Sequence, residues 1–136
     1  MKWYMKNLLF LAFWVFSPIW IFAAGPIDYF EVIPDKESAG VWEALDLTIN
    51  AVDKNGEIVT DYTGDILVFS ESDPKAEFPN DLAENSYSFT AVNEWTVKFE
   101  NAVVFSNKWV QDIYVYDLDD DSILGLAEIN ISEEEK

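Results

Sequence analysis

Residues 48–74 read T-I-N-A-V-D-K-N-G-E-I-V-T-D-Y-T-G-D-I-L-V-F-S-E-S-D-P, and this stretch decides the fold class. It divides into a strand, a turn at Asp53–Gly56, a short extended piece, a Tyr62-Thr63-Gly64 corner and a second strand at Asp65–Ser70. Leu45, Leu47, Ile49 and Ala51 alternate with Asp46, Thr48, Asn50 and Val52, the two-residue period of a strand with one buried face. Asn55-Gly56 supplies residues that tolerate the positive φ of a tight reversal. Ser72-Asp73-Pro74 stops the second strand.

The same pattern extends in both directions. Upstream, Ile27–Pro34 predicts a first strand whose terminal proline suits a sheet edge, and Asp35–Gly40 predicts a polar turn. Downstream, Lys75–Asn85 is irregular, with Phe78-Pro79 expected to tuck back onto the core. Ser86–Thr90 reads as a strand. Trp95, Val97 and Phe99 alternate in the next one, which continues extended to Phe105. Trp109–Asp117 and Ile123–Ser132 predict a closing hairpin, with Ile113, Val115, Ala127, Ile129 and Ile131 facing in and Asp112, Tyr114 and Tyr116 facing out. About seven short strands, turns every 8–12 residues and no helical period after residue 25 predict an all-β antiparallel sandwich over residues 26–132. Residues 133–136 form an acidic tail.

Before the sandwich, Met1–Lys6 carries two lysines, and Leu8–Ala24 is apolar but for Ser17-Pro18. A basic start, an apolar run and small residues at its end predict that residues 1–25 are an export signal. The alternative is retention as an N-terminal anchor helix, so that any membrane contact would run through residues 1–24. The protein is then expected outside the cytoplasm, secreted or attached to the cell surface.

Composition excludes several chemistries. All 26 acidic residues follow Gly25, and the net charge is −18 at pH 7. Such a surface repels nucleic acid and anionic lipid head groups. The chain has neither His nor Cys. Ser-His-Asp and Cys-His triads, the usual zinc sites and disulfide staples are therefore absent, and packing must hold the fold. Paired carboxylates remain, but they are too numerous for any pair to identify a catalytic site.

In order and spacing, Phe30-Glu31-Val32, Ala51-Val52-Asp53, Asn55-Gly56, Asp61-Tyr62-Thr63-Gly64, Ser72-Asp73-Pro74, Tyr87-Ser88-Phe89-Thr90, Val115-Tyr116-Asp117 and Gly125 resemble the immunoglobulin-like repeat of bacterial surface proteins and adhesins. The resemblance spans about residues 27–132 and implies an immunoglobulin-like sandwich acting without catalysis at a cell surface. In that family an Ala-Gly usually precedes the penultimate strand and an aromatic follows two residues later. This chain has Lys108-Trp109 and Gln111 there, so its own residues must set the entry and register of that strand.

Three groups of residues carry the functional expectations. Tyr62 is expected to be structural, its hydroxyl bonded to backbone. Trp42, Trp109, Tyr114 and Tyr116 could form an aromatic platform for a protein or glycan at the cell surface, or could serve as ordinary cross-strand pairs. Asp117, Asp119 and Asp121 crowd one turn. If that turn lies at the same pole as Asp53 and Asn55, the five could supply oxygen ligands to calcium; otherwise the turn is merely polar. The function expected is surface interaction or adhesion. The alternatives are a carbohydrate-binding module, or a secreted enzyme or inhibitor that uses carboxylates.

Overall fold

The computed structural model describes residues 25–82, 84–90 and 96–133. The leader before Gly25, Trp95 and residues 134–136 of the tail lie outside the described residues. The strands are β1 (Tyr29–Pro34), β2 (Ser38–Gly40), β3 (Ala44–Val52), β4 (Asp65–Phe69), β5 (Ser86–Ser88), β6 (Thr96–Val104), β7 (Trp109–Asp117) and β8 (Leu124–Ser132). A 3-10 turn at Asn80–Leu82 is the one helical piece among the described residues.

Two sheets face each other across one core, the arrangement of a β-sandwich. One has the order β1-β3-β6 and the other β2-β8-β7-β4-β5. All pairings are antiparallel except β2 with β8, which run parallel. β1 lies at an edge, as its terminal proline predicts. The residues expected to be a turn at Asp35–Gly40 instead end in β2. That strand is too short to show a period, and only its register with β8, Ser38 opposite Asn130, defines it.

The alternation reads through to burial. Leu45, Leu47, Ile49 and Ala51 are buried, as are Ile113, Val115, Ile129 and Ile131. Phe78 is buried too, so the irregular segment does fold back on the core. Val97 and Ala127 are only half-buried. Register slips between Leu45 and Leu47, where Asn101 takes φ 48° and its N–H donates to Asp46 Oδ1 at 2.9 Å. Asn tolerates that left-handed backbone better than most residues, and the irregularity bends β6 without leaving its amide unpaired.

With no disulfide, a run of edge-to-face aromatic contacts ties the layers together. Phe30 of β1 meets Tyr62 at 5.6 Å, Tyr62 meets Phe89 at 5.2 Å, Phe89 meets Tyr87 at 5.4 Å, and Tyr87 meets Phe99 of β6 at 4.9 Å. Such pairs add roughly 0.5–1.5 kcal/mol each beyond the area they bury.

The layers approach closely where Gly125 of β8 lies against β1. A Cβ there would collide with the Phe30 backbone oxygen and come within 2.8 Å of Phe30 Cβ and Val32 Cγ2. Gly125→Ala should therefore lower stability by about 1–3 kcal/mol, the usual range for overpacking. A denaturant titration checks this, and an unchanged midpoint would mean that the sheets separate freely at this position.

Candidate functional site

The aspartate of Ser72-Asp73-Pro74 sits at the base of the site. Asp73 is only 1% exposed. Its carboxylate accepts from Ser106 N at 2.6 Å, Ser106 Oγ at 2.8 Å, Asn107 N at 3.0 Å and Asn107 Nδ2 at 3.1 Å. Lys75 N adds a fifth donor at 3.2 Å. Burial pushes this carboxyl up, but the bonds from Ser106, Asn107 and Lys75 outweigh it and hold it below the ordinary value. A second aspartate fixes the preceding residues: Asp112 Oδ1 on β7 accepts from Ser70 Oγ, Glu71 N and Ser72 N at 3.1, 2.7 and 3.2 Å. Together they clamp the β4 exit to the β6–β7 turn.

That turn delivers Trp109. Opposite it, the turn between β2 and β3 is closed by Glu43 N donating to Gly40 O at 3.1 Å, with Gly40 N donating back to Glu43 Oε2 at 2.8 Å. Trp42 N donates to Phe105 O at 2.9 Å, which ties the two turns together. Val41, Trp42, Ser72, Asn107, Trp109 and Gln111 line the resulting cleft of about 1040 Å³, with Lys108 and Glu133 paired at its rim.

Both tryptophans sit on left-handed backbone, Trp42 at φ 66° and Trp109 at φ 80°. They are 61% and 78% exposed. Trp109 thus occupies, with a bulky side chain, the conformation that the glycine of the resembled family would take freely. β7 nevertheless begins at Trp109, opposite Ile131, so the substitution leaves its register regular. Gln111 is 4% exposed; its Nε2 donates to Lys108 O at 2.5 Å, while its Oε1 has no partner among the described residues.

The structure divides the expected aromatic platform. Trp42 and Trp109 share the cleft, whereas Tyr114 and Tyr116 lie on the outer face of the five-stranded sheet. There both tyrosines are half-buried, stacking on each other at 6.1 Å and meeting Phe69 at 5.6 and 5.3 Å. Exposed Leu124 and Leu126 stand opposite them on β8. Burial, and then the nearby Glu71 and Asp112, push the Tyr114 hydroxyl up.

The five expected calcium ligands do not form one centre. Their two turns do share a pole: Gly125, just past the β7–β8 turn, abuts Phe30, whose β3 partner is Ala51. Each turn, however, uses its first aspartate internally. Asp53 accepts from Gly25 N, Asn55 N and Glu57 N at 3.1, 2.8 and 3.0 Å; these bonds, that from Glu57 foremost, hold it below its ordinary value against burial. Asp117 accepts from Asp119 N, Asp120 N and Tyr62 Oη at 2.8, 3.0 and 2.6 Å. Asp119, Asp121 and Asn55 are exposed. Among the described residues no group of three or more acidic side chains is placed to hold a metal ion. Tyr62 is structural as expected, but its hydroxyl bonds a carboxylate rather than backbone. Burial and that bond drive its pKa strongly upward.

Sequence reading missed the roles of Asp73, Asp112 and Gln111. The available signal was the departure at Lys108-Trp109 and Gln111. A scan against known family models finds no match to the chain, and a search of curated proteins finds none.

Because the Asp73 carboxyl is held below its unfolded value, its contribution is complete above the unfolded pKa of about 3.9 and is lost as pH falls through the folded one. Asp73→Asn should cost on the order of 3 kcal/mol at pH 7, since an amide cannot accept from all five donors. The difference from wild type should shrink below about pH 4. Comparing the two proteins at each pH cancels the general relief of acidic self-repulsion that protonation brings. A gap that stays constant to pH 2.5 would mean that the charge contributes nothing.

Proposed function

We propose that the chain is a secreted or surface-attached, non-enzymatic immunoglobulin-like domain of surface interaction or adhesion, with the tryptophan cleft as its binding face. The strand order supports the fold assignment. The chain enters through β1 in one sheet, crosses to β2 parallel to the last strand of the other, and thereafter distributes β3 and β6 against β4, β7 and β8. With β1, β3 and β6 read as strands A, B and E, and β4, β7 and β8 as C, F and G, the order supports an immunoglobulin division of strands.

One observation carries the binding role: two large aromatic side chains are held in water on left-handed backbone. A bulky residue in that region costs about 1–3 kcal/mol, and exposure returns little of it through packing. Aromatics presented this way suit contact with a partner. Acid–base catalysis in the cleft has little support, because among the described residues Glu133 is the one acidic residue lining it and is paired with Lys108.

Glycine relieves the backbone at both positions. Trp42→Gly and Trp109→Gly should leave stability unchanged or raise it by up to about 1 kcal/mol, after the entropy that glycine adds to the unfolded chain. The same variants of the full-length protein should bind the producing cell's envelope at least tenfold more weakly. Variants that unfold would make the tryptophans packing residues, and undiminished binding would move the working face elsewhere.

The leader should direct the protein out of the cytoplasm, with the mature chain beginning near Gly25. N-terminal sequencing of the exported form checks this. Met1 on a membrane-bound form would identify an anchor instead, and a full-length cytosolic protein would defeat both.

A further inference from the structure

We infer that the cleft takes a neutral saccharide, with Trp42 and Trp109 stacking on sugar rings and Gln111 Oε1 accepting a sugar hydroxyl. This rests on the cleft being the binding face and names its ligand class.

Gln111 is the deciding residue. Its amide orientation follows from Lys108 O, which can only accept: the nitrogen must face that carbonyl, at 2.5 Å, so the oxygen is left for another donor. Buried acceptors almost always find a donor, yet this one, 4% exposed and lining the cleft, has none among the described residues. That oxygen is itself closed to water, so a ligand that completes the site must bring an O–H or N–H and draw the Gln111 amide toward the cleft. The tryptophans ask for something different at the rim, a flat apolar face to lie on.

Charge narrows the choice. An anion would meet an acceptor oxygen on a protein of net charge −18. A cation would find the one carboxylate among the described lining residues, Glu133, already paired with Lys108. A proline-rich peptide offers apolar rings, but its proline units lack N–H donors, so Gln111 would stay unmet. A neutral pyranose has both a C–H face and several hydroxyl donors. At about 1040 Å³, the cleft has room for more than one ring.

The test is calorimetric titration of the full-length protein with neutral oligosaccharides of glucose, galactose and N-acetylglucosamine. A proline-rich peptide serves as the comparison ligand. One saccharide series should bind. Trp42→Ala, Trp109→Ala and Gln111→Met should each lower its affinity tenfold or more, while thermal melts show that the variants remain folded. Should Gln111→Met unfold, the exposed tryptophans still decide the matter. Saccharide binding that survives all three substitutions would overturn the assignment to this cleft. Tryptophan-dependent binding of the peptide, with no saccharide bound at millimolar concentration, would overturn the ligand class. Tryptophan-dependent envelope binding that persists after periodate oxidation of the envelope glycans would do the same and leave the interaction reading intact. Loss of envelope binding in neither tryptophan variant would instead move the working face away from this cleft, and no envelope binding by the wild-type protein would defeat the interaction reading itself.

Discussion

The buried carboxylate of Asp73 is the constraint on which the site-bearing pole depends. A charge that is 1% exposed must be solvated by the protein. This chain has 26 acidic residues, eight lysines and no arginine, so cations cannot do that work. Amide N–H groups and hydroxyls do it instead. Asp73 gathers Ser106, Asn107 and Lys75; Asp112 gathers Ser70, Glu71 and Ser72; Asp53 gathers Gly25, Asn55 and Glu57. The same bonds that solvate each charge fix a loop in one conformation. The acidity that makes the surface repulsive is thus, at these positions, what orders the turns.

That use of aspartate explains what was legible in the sequence and what was not. The long strands were readable because alternation in residues 45–51 and 111–117 is imposed by a single buried face. β2 was not, since Ser38-Ala39-Gly40 shows no period and owes its existence to a distant partner, β8. The Asp117–Asp121 turn looked like a cation site because sequence counts charges and cannot count the N–H groups that meet them. Asp117 spends its oxygens on Asp119 N, Asp120 N and Tyr62 Oη, a partner that lies in the distant β3–β4 connection. The pole-sharing of the two turns was readable from strand direction, whereas the side-chain directions within them were not.

The cleft was half legible. Lys108-Trp109 and Gln111 stood out as departures from the resembled pattern, but the approach of Trp42 to Trp109 depends on the bond from Trp42 N to Phe105 O. No local rule predicts that meeting. Local rules in fact argue against it, because each tryptophan occupies backbone that its own side chain disfavours. A conflict between local preference and global fold is expected where something other than stability has shaped the residue. The Gly125 contact shows the opposite case: the sheets approach so closely that only hydrogen fits, and the residue agrees with its site.

Electrostatics set the cleft apart from the rest of the molecule. With a net charge of −18, most of the surface carries a field that draws cations and holds anions away. At the cleft rim, Lys108 and Glu133 cancel each other. An exposed pair of this kind stabilises the fold by well under about 1 kcal/mol, so stability alone gives it little reason to be there. Its larger effect is local: among the described lining residues it leaves two aromatic faces and an amide without an unpaired charge beside them. Selectivity there must come from shape, apolar contact and hydrogen bonding, terms that salt screens far less than it screens the surrounding acidic field.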